Sequence, residues 1–153
     1  MTSVIDFDLA ARPRGHRAVR APRPASSARG LLEQAERGLI EAAWQRQPAQ
    51  RFADAYLAAL RGAAALVALR GRPHRGRSRP TSVWKLLPAK APELREWAEF
   101  FAACSSTRAA IQAGITRTIT DRAADDLVRQ TGQFLDLVRD ALRASPRSAV
   151  PPP

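Results

Sequence analysis

Residues 120–144, TDRAADDLVRQTGQFLDLVRDALRA, carry the pattern that decides the fold. Ala124, Leu127, Val128, Thr131, Phe134, Leu135, Val138, Ala141 and Leu142 recur at three- and four-residue intervals, with most of the charges falling between them. At 3.6 residues per turn the apolar positions form one helical stripe over about five turns. Thr120 stands where an N-cap belongs, and Pro146 follows the last apolar position. Asp121, Asp125 and Asp126, with Arg122 nearby, fall at the start of this helix, where carboxylates oppose the positive end of the macrodipole. The structural role accounts for these acids, because general acid/base work needs a second polar cluster facing them.

The same period recurs upstream. Leu32, Ala35, Leu39, Ala42 and Ala43 predict a helix from about Gly30 to Gln45, ending before Pro48. Pro48 suits the first position of a second helix, whose amide would be unpaired in any case, and that helix runs to about Leu69 before Gly71 and Pro73 stop it. Phe52, Tyr56, Ala59, Ala63, Leu66 and Val67 are its apolar stripe. A third helix is expected from Pro92 to about Ala113, with Leu94, Trp97, Phe101, Cys104 and Ile111 inward and Gly114 as its left-handed stop.

Short connections make two antiparallel hairpins, and a longer crossover joins them. The expected fold is therefore all-α: a four-helix bundle of two antiparallel hairpins joined by a basic crossover with a short helical turn. Ser82-Val83-Trp84-Lys85-Leu86-Leu87 predicts that turn, capped by Ser82 and closed by Pro88, with Trp84 and Leu87 plugging one bundle end. Residues 1–28, with Pro13, Pro22 and Pro24 among scattered arginines, read as a disordered Arg/Pro-rich arm that stays out of the core. Residues 29–144 form the bundle, and 145–153 read as a disordered Pro-rich tail. Within the arm, Ile5, Phe7 and Leu9 alternate with acids in a pattern that also suits an added strand on a partner.

Charge is distributed unevenly. The chain of 153 residues carries a formal net charge of +11. From Leu31 to Leu69, Arg37, Arg46, Arg51 and Arg61 balance Glu33, Glu36, Glu41 and Asp54. Between Arg70 and Lys90, however, stand Arg70, Arg72, Arg75, Arg77, Arg79, Lys85 and Lys90 with no acid among them. Guanidinium groups match phosphate geometry, so Arg70, Arg72, Arg75, Arg77, Arg79 and Lys85 are the candidate nucleic-acid contacts. A solvated loop without a ligand and a loop facing an acidic protein suit the same composition. Trp84 beside this segment suits base stacking or, next to Leu86 and Leu87, core packing.

Catalytic and metal patterns are sparse. His16 and His74 sit in arginine- and proline-rich surroundings without a His-Glu-x-x-His spacing. Cys104 is the only cysteine and lies on an apolar face, where a thiol behaves as a small hydrophobe, so it is expected to be a buried structural residue. The glycines form neither a P-loop nor a dinucleotide fingerprint. No catalytic residue, metal or cofactor is therefore assigned. The acidic start does not read as a secretory signal, and no apolar run is expected to reach the roughly 20 residues that span a bilayer. A cytoplasmic protein away from the membrane is the expectation.

Residues 82–88, SVWKLLP, and 91–101, APELREWAEFF, resemble an uncharacterised actinobacterial HEPN-domain family. Residues 56–61, YLAALR, and 124–127, ADDL, are similar to it as well, so the resemblance covers about residues 28–143. It implies a small all-α bundle, usually dimeric, of a kind that in many members cleaves RNA and in others only binds. Ribonuclease members place an arginine four to six intervening residues before a histidine. Here those positions are Ala11, Ala10 and Leu9 before His16, and Leu69, Ala68 and Val67 before His74. Arg12 and Arg70 each fall one residue too close. The expected function is a non-catalytic HEPN-like binding or assembly module, a likeness-based homodimer whose 70–90 loop contacts RNA or DNA phosphate. The alternatives are a divergent metal-independent ribonuclease and a purely protein-interaction scaffold.

Overall fold

The first helix, α1, spans Pro24–Ala43 in a computed structural model that describes residues 24–71 and 82–144. It starts six residues before the expected Gly30, within the last part of the stretch expected to be the arm. Ala28 extends the inward spacing of Leu32 and Ala35 and is itself buried, so this part of the supposed arm joins the core. No proline stands between Pro24 and Leu31, the one glycine there, Gly30, is accommodated inside the helix, and a proline is well suited to the first turn.

Two further helices follow, α2 at Pro48–Arg70 and α3 at Val83–Lys90. The former starts on its proline as expected and buries Phe52, Tyr56, Ala59, Ala63 and Leu66. By length and composition α2 is apolar enough to cross a membrane, against the expectation that no run reaches that length. Alanines dilute its few charges, and half of that stretch is buried within the bundle. In α3 the Ser82 hydroxyl caps by accepting from the Trp84 amide at 3.3 Å. Pro88 does not close the helix; it lies inside it. Its missing N–H frees only one carbonyl, and Ala91 still donates to the Leu87 carbonyl at 2.7 Å, so the backbone winds on past it.

A single 3-10 turn at Pro92–Leu94 precedes α4 at Arg95–Gln112, and α5 occupies Asp121–Ala144. Gly114, at φ +89°, ends α4 as expected. Ile115 donates to the Ala110 carbonyl and Gly114 to the Ile111 carbonyl, both at 2.9 Å, the paired closure of a Schellman motif. Thr120 caps α5, its hydroxyl accepting from the Ala123 amide at 3.0 Å.

Tertiary packing gives these helices their order. Helix α2 lies at the centre and packs against all four others. Glu36 meets Arg139 and Leu39 lies near Gly132, so α1 and α5 run antiparallel. Arg51 reaches Asp121 and Asp125 while Gly62 abuts Leu135, so α2 and α5 run parallel. Gly62 makes that parallel crossing close, because a Cβ there would overlap a Leu135 methyl. The α4 side meets α5 through rings: Phe101 and Trp97 approach Phe134 at 5.0 and 5.8 Å between centroids. Cys104, Trp97 and Ile111 are only partly buried, because α4 covers the outer side of this aromatic layer.

Candidate nucleic-acid interface

The crossover begins at the C-terminal turn of α2. There the Arg70 guanidinium donates to the Glu93 carboxylate at 2.8 Å and to the Lys90 carbonyl at 3.2 Å. Glu93 lies just beyond the acid-free interval, so the fold supplies to Arg70 the counter-charge its neighbours lack. The guanidinium beside it holds the Glu93 carboxyl below the usual carboxylate range. Arg70, a candidate phosphate ligand, is thereby engaged in tying the end of α2 to the 3-10 turn. Lys90, at the end of α3, runs close to Gly71.

The described chain resumes at Ser82, and Trp84 anchors that end. Its indole N–H donates to the Tyr56 hydroxyl at 2.8 Å, and its ring stacks on Phe101 with centroids 5.0 Å apart. Trp84 is 5% exposed, so of its two readings the packed one holds and no face is left for a base. Sequence placed it as an end plug; Tyr56, Phe101 and Phe134 instead surround it inside the aromatic layer. Lys85, the next residue, is exposed and has no ion pair among the described residues. Arg72, Arg75, Arg77 and Arg79 lie outside the described residues, as do His16 and His74.

A second cationic position emerges behind Trp84. The Arg108 guanidinium carbon stands 5.5 Å from the centroid of the Tyr56 ring, within cation–π range. Burial pushes the Tyr56 phenol up, and the Trp84 hydrogen bond and Arg108 charge offset part of that shift. Cys104, one turn before Arg108, has its thiol pushed up to about 11 by burial, which suits the structural role expected of it and not a nucleophile's. Among the described residues no group of three His, Cys, Asp or Glu side chains stands close enough to hold a metal ion.

The acids at the start of α5 are also accounted for. Arg51 donates to Asp121 and Asp125 at 3.2 and 3.1 Å, and to the carbonyls of Gln45 and Arg46 at 3.0 and 3.2 Å. Asp126 accepts from Arg129 at 3.1 Å. One guanidinium therefore clasps the α1–α2 connection to α5, a role that nothing in the local spacing of Arg51 signals.

Among the described residues, five α-helices with α2 at their centre and no strand define an all-α protein; α4 packs chiefly on α2 and α3, so the second antiparallel hairpin expected of α4 and α5 is not seen. A family model for SAV_6107-like HEPN domains matches residues 42–139, and the chain belongs to that family. No curated protein and no solved structure matches the chain.

Proposed function

We propose that this HEPN domain is a non-catalytic binding and assembly module that holds nucleic-acid phosphate with its crossover cations. The observation that carries the reading is the run of seven cations without an acid from Arg70 to Lys90. Arg70, at the start of this run, is pinned to Glu93, and Trp84, inside it, to Tyr56, which supports the reading of a crossover anchored to the bundle. Lys85 is exposed beside one of these pins, with no carboxylate on it among the described residues.

Assembly is the second half of the reading, and its occupant is a second copy of the chain. Ile40 on α1 and Trp44, in the turn just after it, are 63% and 82% exposed. With Glu33 and Arg37 they form one line opposite the buried Leu32, Ala35 and Ala42. An antiparallel copy that sets Ile40 against the other copy's Trp44 would bury both, and a buried tryptophan supplies the apolar anchor such contacts need.

The test is anisotropy titration of a labelled single-stranded RNA across a salt series. About five cations on phosphate give a slope of log affinity against log salt near −3.5. Replacing Arg72, Arg75, Arg77 and Arg79 with Ser should flatten the slope and weaken binding. Absence of binding at low salt overturns the phosphate reading, and RNA cleavage by the purified protein replaces it with the ribonuclease one. Sedimentation equilibrium should give a dimer that Trp44→Ser dissociates; a monomeric parent protein overturns the assembly half.

A further inference from the structure

We infer that Arg108 is a phosphate-binding residue, pre-oriented by the Tyr56 ring to take one phosphate oxyanion; the inference rests on the nucleic-acid reading above. The side chain is half-buried on α4, yet among the described residues it makes no ion pair and no hydrogen bond, its one ring contact being the face of Tyr56. Of the other half-buried arginines, Arg61 likewise has no ion pair or hydrogen bond among the described residues, but it lies beside Gly38 of α1 and on no aromatic ring, and the remaining three are paired. Arg51 has two carboxylates and two carbonyls, Arg70 has Glu93 and the Lys90 carbonyl, and Arg139 has Glu36 and Asp136. A guanidinium held over an aromatic ring has lost part of its rotamer freedom, and the N–H groups of Arg108 have no acceptor among the described residues, an arrangement that favours bidentate binding of an oxyanion.

Its surroundings leave that role to Arg108. The nearby α4 hydroxyls of Ser105 and Ser106 donate back to the Ala102 and Ala103 carbonyls and are committed to the helix. The Cys104 thiol stays protonated to about pH 11, so it brings no negative charge that would repel an anion. Tyr56 spends its hydroxyl oxygen on the Trp84 indole, and its own proton has no acceptor among the described residues. Trp84 is two residues past Ser82, where the chain returns from the basic crossover, so the Trp84–Tyr56–Arg108 series leads from the crossover's exit to the open guanidinium.

The test compares the parent protein with Arg108→Gln and Arg108→Lys in two titrations, one with the labelled single-stranded RNA and one with inorganic pyrophosphate. Loss of one phosphate contact in Arg108→Gln should lower the magnitude of the RNA salt slope by about 0.7. Arg108→Lys should keep the slope but bind more weakly, because the ammonium lacks the planar fork. Pyrophosphate should shift the Arg108 side-chain Nε–H resonance, assigned by its absence from the lysine variant. RNA binding with a parental slope in Arg108→Gln overturns the assignment while leaving the crossover reading standing. A pyrophosphate-shifted Arg108 in a protein that binds no RNA supports the site and overturns the nucleic-acid reading. No response in either titration overturns both.

Discussion

The Arg70 guanidinium donates to the Glu93 carboxylate at 2.8 Å across 23 residues of sequence, so the first cation of the basic crossover is held by an acid from beyond its far end. If the crossover binds phosphate, Glu93 competes for one of its ligands. Replacing Glu93 with Gln should release Arg70, tighten binding of single-stranded RNA and steepen its salt slope by about 0.7. Unchanged affinity and slope would show that Arg70 never meets the nucleic acid. The carboxyl's lowered range sets the pH sense. The ion pair persists above the ordinary carboxylate range and is lost as pH falls through the depressed folded value, so acid should mimic Glu93→Gln only below that ordinary range.

Arg51→Met should destabilise the fold by about 1–2 kcal/mol, read as a lower urea midpoint at unchanged slope. Asp121 and Asp125 are mostly exposed, so their ion pairs contribute little and the carbonyls of Gln45 and Arg46 account for most of the loss. Raising the salt concentration should therefore not erase the difference between the two proteins.

Removing the Tyr56 hydroxyl strands the indole N–H of Trp84, which has no other acceptor among the described residues. Tyr56→Phe should cost about 1–3 kcal/mol in chemical denaturation, the desolvation penalty of a buried donor left unpaired. Folding with parental stability would show that the bond is dispensable.

Two glycines on packed helices should respond oppositely to alanine. At Gly132 the new Cβ meets a Leu39 methyl at an ordinary 3.7 Å, so Gly132→Ala should stabilise by up to about 1 kcal/mol through helix propensity. At Gly62 it overlaps Leu135, which is 2% exposed and has nowhere to move. Overpacking of about 1–3 kcal/mol should cancel or outweigh the same propensity gain there. Thermal melts of the two variants test the contrast, and a rise in Tm for Gly62→Ala would contradict the close α2–α5 crossing.

Cys104 should alkylate slowly. A thiol raised from 9.0 to about 11 carries roughly a hundredfold less thiolate near neutral pH, so iodoacetamide labelling of the folded protein should lag a free thiol by a similar factor. Because the folded value is raised, the protonated thiol's contribution to stability is complete below pH 9 and is lost as pH climbs through about 11. Labelling at the rate of an unfolded control would show that α4 does not cover the sulfur.

Local chemistry was enough to read the helices. The Thr120 cap, the Gly114 stop, the Pro48 start and the periodic stripe of α5 are each written within a few residues, because helix ends and amphipathic faces obey rules of short range. The boundaries that differed follow from the same locality. Ala28 reveals itself as core only once Leu32 and Ala35 are seen to pack, and Pro88 interrupts a helix only if its neighbours do not hold the turn.

What sequence alone determined was the all-α class, the position of the long helices, the family resemblance and the concentration of cations between Arg70 and Lys90. Tertiary structure decided the partners: Glu93 on Arg70, Asp121 and Asp125 on Arg51, Tyr56 beneath Arg108, and Trp84 enclosed by rings. A period states which face of a helix is apolar, but which distant side chain a charge meets depends on the register and direction of helices packed side by side, and no short-range pattern encodes those.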